Sequence, residues 1–317
     1  MKKPLDTMHS VRSRWLLCAA VLLACRGPAR PARTLSTDPL AWVPPTSRAL
    51  LSADLSALRR APSLARWMRG RAGEGCAARL SERVTRLAVV STRADLDEFA
   101  VVLSGALRAE EVSACVRSST PRATVRAVRY RGESLHRIEV APGGDGGISE
   151  AEVDLLRNGV ALIGPPHLVR SLLDAGISHA DGEGEVSALR AHWDALPRDA
   201  ALRVAARLGA GSPGALPFES LRASAMAGER LSLAVHAVSA DEERAVELAH
   251  RAVRWREETL PVMQSEALRD VLSGLRVRAV GRAVEAELSL DASRLDALWT
   301  TLAALAAGPS PSPPTSP

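Results

Sequence analysis

Past Lys3 the chain contains no lysine, so every strong cation beyond the N-terminus is an arginine. That excludes chemistry built on lysine, whether a Schiff base or the lysine of a P-loop. Aromatic residues are almost as sparse, with one tyrosine, two phenylalanines and six tryptophans in 317 residues. Single-stranded nucleic acid is bound on aromatic platforms set along a basic groove, and no such interleaving occurs here. None of the seven histidines (His9, His136, His167, His179, His192, His236 and His250) has a second histidine two to four residues away, and H-E-x-x-H, C-x-x-C and G-x-S-x-G are all missing. These patterns carry zinc and nucleophile chemistry. No catalytic residue, metal ligand or cofactor site is therefore assigned from the sequence.

Charge gives no further handle. The formal net charge of +5 includes Lys2, Lys3, Arg12, Arg14 and Asp6, all within the first 24 residues. Setting those aside leaves 37 basic and 35 acidic residues, a near balance unlike the basic footprint of a nucleic-acid binder.

What is present starts at the N-terminus. The basic residues precede an apolar run from Trp15 to Ala24, WLLCAAVLLA, in the order of an export signal. Ten residues fall well short of the roughly 20 that a membrane-spanning helix needs. The run ends in Leu22-Leu23-Ala24-Cys25, which resembles the lipobox of bacterial lipoprotein precursors, although Leu23 is larger than the residue usual there. The resemblance implies cleavage after Ala24 and acylation of Cys25. Two or three acyl chains suffice for stable anchoring, at about 0.8 kcal/mol per buried CH₂. An ordinary secretory signal cut nearby is the plainer alternative. Arg26, in place of aspartate, resembles the enterobacterial pattern for outer-membrane sorting. The expected address is the cell envelope, with the chain anchored in the outer membrane and facing the periplasm.

Residues 25–47 carry Pro28, Pro31, Pro39, Pro44 and Pro45 among Arg, Ser and Thr, and read as an extended tether. Residues 307–317, ending in GPSPSPPTSP, read as a disordered tail. Removal of 24 residues from 317 leaves 293, enough for a substantial core. Cys18 leaves with the signal and Cys25 is the anchor, so Cys76 and Cys115 remain. In an oxidising compartment a leftover pair is most simply a disulfide. It would close 39 residues and contribute about 4 kcal/mol in the chain-entropy account. Two separate buried thiols are the alternative.

Between 48 and 306 the pattern is α+β. Strands are expected at 49–55, 84–91, 97–105, 123–130, 134–140, 201–208, 230–239, 274–280 and 283–290. Short helices broken by Gly70, Gly73 and Gly75 are expected over 62–83, and another at 109–118. Asn158-Gly159 between two apolar runs predicts a hairpin, Pro165 and Pro166 open a helix, and Asp241 and Asp291 cap two more. Quoted together, FAVVLSGALRAEEVSACV and VEAELSLDASRLDALW share one strand-to-helix grammar. The expectation is two related halves, 48–183 and 184–306, built from strand-strand-helix units, with mostly antiparallel sheets each backed on one face by helices.

The lipobox, proline-rich tether, lysine-free body, Cys76, Cys115 and the phrases YRGESLHRI (130–138) and VALIGPPHLVRSLLDA (160–175) resemble uncharacterised predicted lipoproteins of myxobacteria and related GC-rich Gram-negative bacteria. The resemblance implies no activity and no functional residues.

Three weaker signals have plainer accounts. Gly209-x-Gly211-x-x-Gly214 follows a strand, but Pro213 and Pro217 sit where a dinucleotide-binding helix should begin, so a loop is expected. Asp145 among Gly143, Gly144, Gly146 and Gly147 lacks the alternating oxygen ligands of a calcium loop. His167 and His236 are candidates for acid/base work, and are more simply surface or core histidines. The reading is a non-catalytic envelope lipoprotein whose partners are the membrane, through its anchor, and an unknown envelope protein or apolar ligand. The alternatives are a carrier of lipid or another apolar molecule, and an enzyme whose site is assembled from distant residues.

Overall fold

The computed structural model describes residues 34–62, 64–66, 75–93, 97–119, 123–140, 151–182, 189–208 and 217–307. The signal segment and Cys25, the 209–214 glycine pattern, the loop around Asp145 and residues 308–317 lie outside them. In chain order the elements are β1 Ala49–Asp54, α1 Leu55–Arg60, α2 Cys76–Arg83, β2 Val84–Ser91, β3 Ala100–Gly105, α3 Ala109–Ser119, β4 Thr124–Tyr130, β5 Glu133–Val140, β6 Ala151–Leu156, β7 Val160–Gly164 and α4 Pro166–Ala180. The second half adds α5 Arg190–Asp194, β8 Leu202–Arg207, β9 Ser220–Ala227, β10 Arg230–Val238, α6 Glu242–Thr259, α7 Glu266–Gly274, β11 Arg276–Val280, β12 Ala283–Asp291 and α8 Ala292–Ala307. Short 3₁₀ turns run over Pro39–Trp42 and Leu260–Val262.

All twelve strands join one antiparallel sheet in the order β11-β12-β10-β9-β8-β1-β2-β3-β7-β6-β5-β4. The α+β class and antiparallel pairing agree with the sequence pattern. The expected pair of sheets does not form, because β1 pairs with β2 along one edge and with β8 along the other, joining the halves. The strand order on either side of that joint is alike. The meander β1-β2-β3 with β7 and β6 beyond it matches β8-β9-β10 with β12 and β11, and the β4–β5 hairpin is an addition to the first half. The closing helices differ. α4 packs Leu168, Val169, Leu172 and Leu173 against the sheet face of Leu50, Val102 and Leu162, whereas α8 packs Leu295 against the opposite face, with Leu231 and Leu290.

Strand alternation decides those faces. On β10, Leu231, Leu233, Val235 and Ala237 point one way and Ser232, Ala234 and His236 the other, as period-two geometry requires. Helices α1, α6 and α8 bury their apolar stripes on the α8 face, and Asp241 Oδ1 caps α6 by accepting from Arg244 N at 2.7 Å. On the α4 face, among the described residues, no helix lies over β10, β12 and β11, and their side chains there are mostly polar: His236, Glu285, Glu287, Arg276 and Arg278.

One sequence expectation needs correction. The sequence pattern predicts a tether over 25–47, yet Leu35 begins the compact unit, and Trp42 is fully buried in the main core with Leu50, Val90 and Leu172. Proline density suggested extended chain. Here Pro39 instead opens a 3₁₀ turn capped by Asp38, and the indole drops onto α4 at Gly176, where an added Cβ would lie 2.2 Å from Trp42 Cε3. Elsewhere the Asn158-Gly159 hairpin forms, with Gly159 at φ +79°. The Cys76–Cys115 disulfide also forms, tying α2 to α3 with Cα atoms 5.5 Å apart.

Candidate binding cleft at the centre of the sheet

Where the halves meet, the α4 face is left partly open. The floor is β1 and β8, one wall is the Asp38–Thr46 segment, and the other walls are α4 and α5. They enclose a cleft of about 990 Å³, a size typical of small-molecule sites. Its lining is mixed. Leu40, Val43, Pro44, Leu50, Leu189, Trp193 and Leu196 provide apolar surface, and Asp38, Asp174, His179, Arg190, Asp194, Arg198 and Arg203 provide charge or polarity. Arg203 rises from β8 with its guanidinium carbon 4.5 Å from the centre of the Trp193 ring, a cation–π contact. Burial lowers the Arg203 pKa, partly offset by the Asp38 and Asp194 charges. Asp174 on α4 accepts from Tyr130 Oη at 3.0 Å and pairs with Arg131 at 3.1 Å. Burial and that bond push the Tyr130 phenol up.

The sheet also holds a buried ionic cluster under α4. Arg137 on β5 is the cross-strand partner of Asp154 on β6, and its Nε and Nη2 each donate to an Asp154 oxygen at 2.8 Å. Glu152, two residues along β6 on the same face, brings Oε1 to 2.9 Å from Arg137 Nη2 in a geometry that makes no hydrogen bond. All three side chains are nearly inaccessible. Burial and the neighbouring Asp154 charge raise the Glu152 pKa to about 7. The Asp154 contact holds Arg137 more firmly protonated than usual. Alternation in the segment AEVDLL hides this cluster from sequence reading, because a strand with polar residues at alternate positions looks half-exposed.

His136, His167 and His236 are not gathered into one site. His167 lies at the surface with Nε2 3.4 Å from Glu98 Oε2. His236 stands on the uncovered polar face beside Arg222, and His136 points to the α3 side of β5, away from the cleft, as its parity with Leu135 dictates. Among the described residues no group of three or more metal-ligating side chains forms. The cleft is not legible in the sequence, because its walls come from segments far apart in the chain, and one of them has the proline density of a tether.

No protein-family model and no curated protein matches the chain. Among solved structures it is similar to crystal form I of TP0453, at 11% identity and a TM-score of 0.49, over 85% of this chain and 98% of that one. A likeness of that size decides nothing about fold or function.

Proposed function

We propose that the chain is a non-catalytic, lipid-anchored envelope protein that binds a partner or ligand in the central cleft. The cleft carries the reading: about 990 Å³ of concave, mixed apolar and charged surface at the joint between the halves. The signal-like N-terminus and the resemblance of Leu22–Cys25 to a lipobox support acylation at Cys25, periplasmic exposure and the outer membrane as the site of anchoring. The Cys76–Cys115 disulfide suits an oxidising compartment. No helix among the described residues is long and apolar enough to cross a membrane. The kinship suggested with lipoproteins of myxobacteria fits the same address.

A second reading, a carrier of lipid or another apolar molecule, draws on the Leu40, Val43, Leu50 and Leu196 surface of the same cleft. An enzyme remains the third alternative, and reproducible turnover by the purified protein would replace the non-catalytic reading.

The test is to express the full chain in a Gram-negative host, recover the membrane fraction and measure intact mass before and after reduction, then native mass for retained small molecules. The expected product starts at Cys25 with added acyl mass and gains about two hydrogens on reduction. A full-length chain without acyl groups overturns the anchor. Retained lipid lost in Trp193→Ala supports the carrier, and a protein partner captured by wild type but not by Arg203→Glu supports the binding module.

A further inference from the structure

Four basic side chains lie on or over the α4 face of β8, β9 and β10. Arg207 ends β8, Arg222 lies on β9, His236 on β10, and His192 is carried by α5. Sheet register fixes three of them on one face. Arg222 is the cross-strand partner of both His236 and Ala205, and Arg207 follows Ala205 by two residues. His192 is carried over the same face, because α5 packs on β8, and the Arg222, Arg207 and His236 charges each act on it.

The arginines are poorly compensated. Arg222 Nη2 lies 3.0 Å from His236 Nδ1 and 3.2 Å from Nε2. A nitrogen placed almost equally from both ring nitrogens cannot align with the lone pair of either, so the contact is poor as a hydrogen bond. Arg222 Nε is shielded from solvent and makes no hydrogen bond. Neither Arg207 nor Arg222 forms an ion pair among the described residues. The carboxylate nearest in register, Glu285, takes Arg278 at 2.7 Å. Burial first, and the Arg222 charge next, push both His192 and His236 below the ordinary imidazole range, which leaves them as neutral rings able to donate one N–H each. An arginine held this way in a folded sheet is unusual, because partly buried charges are normally paired.

We infer that Arg207, Arg222 and His192 form a binding site for a phosphate-type oxyanion. Donors reach it from two strands and from a helix above them. That three-sided arrangement suits a tetrahedral anion with several acceptor oxygens, whereas a planar carboxylate is best met by two parallel donors from one guanidinium. An oxyanion there supplies the negative charge that the cluster lacks. None of the four residues lines the central cleft, so the inference stands independently of the proposed function. The chemistry is the same for free phosphate and for a phosphomonoester group on a larger molecule.

The test uses the purified full chain at fixed ionic strength, with inorganic phosphate, glycerol 1-phosphate and acetate as probes, read by thermal unfolding and calorimetric titration. Saturable stabilisation by the two phosphates, and none by acetate, is expected. Arg222→Met should weaken binding by about tenfold or more, as loss of a charge-assisted donor does. Because that change also alters packing, Arg207→Gln at the exposed strand end is the second variant, with a loss in the same direction. Tighter binding of glycerol 1-phosphate assigns the site to a phosphomonoester-bearing ligand, and tighter binding of inorganic phosphate to the free anion. Absence of saturable binding, equal response to acetate, or affinity unchanged in both variants would overturn the inference.

Discussion

Glu152 sits where its charge is costly. Its carboxyl is buried beside Asp154, and Arg137 is already committed to Asp154 through two aligned hydrogen bonds. With a pKa raised from 4.5 to about 7, the folded state binds this proton more tightly than the unfolded chain does. The carboxyl's contribution to stability is therefore fully present below about pH 4.5 and falls as pH rises toward 7. Glu152→Gln removes the ionisation and keeps the shape. The variant is expected to match wild type near pH 4 and to be more stable at pH 8, by about 3 kcal/mol, with urea unfolding at the two pH values as the measurement. If the variant is less stable at pH 8, the carboxylate is ionised and contributes through Arg137, and the burial argument is wrong. Removing Arg137 instead would leave two buried carboxylates unpaired, a loss of the class worth about 3–5 kcal/mol.

At the scale of elements, the Pro39–Trp42 turn meets α4 most tightly where Trp42 lies on Gly176. Alanine at position 176 would gain about 1 kcal/mol of helix propensity, but its Cβ would lie within 2.6 Å of three Trp42 ring atoms. Overpacking in a full core costs about 1–3 kcal/mol, and here neither partner can move without disturbing Leu172 or Leu50. Gly176→Ala is expected to destabilise by about 1–2 kcal/mol net, measured by chemical unfolding, and Trp42→Leu in the same chain should recover part of the loss. Equal or greater stability for Gly176→Ala alone would mean that the turn is not docked there. This turn also shows where sequence reading stops. The hairpins at Asn158-Gly159 and Gly281-Arg282, the caps Asp241 and Asp291 and the Cys76–Cys115 pairing all depend on chemistry local to a few residues or on counting cysteines, and they were legible. Strand β9, SLRASAMA, was missed because alanine and serine carry little strand preference, and its place is set by β8 and β10 on either side. Helix α7 was missed as well, although Ser265 caps it. The cleft and the Arg137 cluster depend on strands paired across long intervals, information that periodicity does not contain.

For the whole molecule, the question is whether two halves with matching strand order are two folding units. The sheet argues that they are one. β1 pairs through six residues with β2 and through five with β8. The main core, too, draws on both sides of the 183/184 boundary: Leu189, Trp193, Leu196 and Ala205 pack with Trp42, Leu50 and Leu162. A cut there would bare the edge of β8, remove the floor of the cleft from one of its walls and expose that shared apolar surface. Length alone points the other way, since two-state unfolding is usual only for domains below about 150 residues. The expected result is nonetheless a single calorimetric transition for the full chain, with van't Hoff and calorimetric enthalpies in agreement. Fragments 34–183 and 184–307, expressed separately, should lack a cooperative transition. If calorimetry instead resolves two transitions, or either fragment unfolds cooperatively, the β1–β8 joint is a contact between autonomous domains. The central cleft would then lie at an interface free to open, with an affinity governed by the relative motion of its two sides.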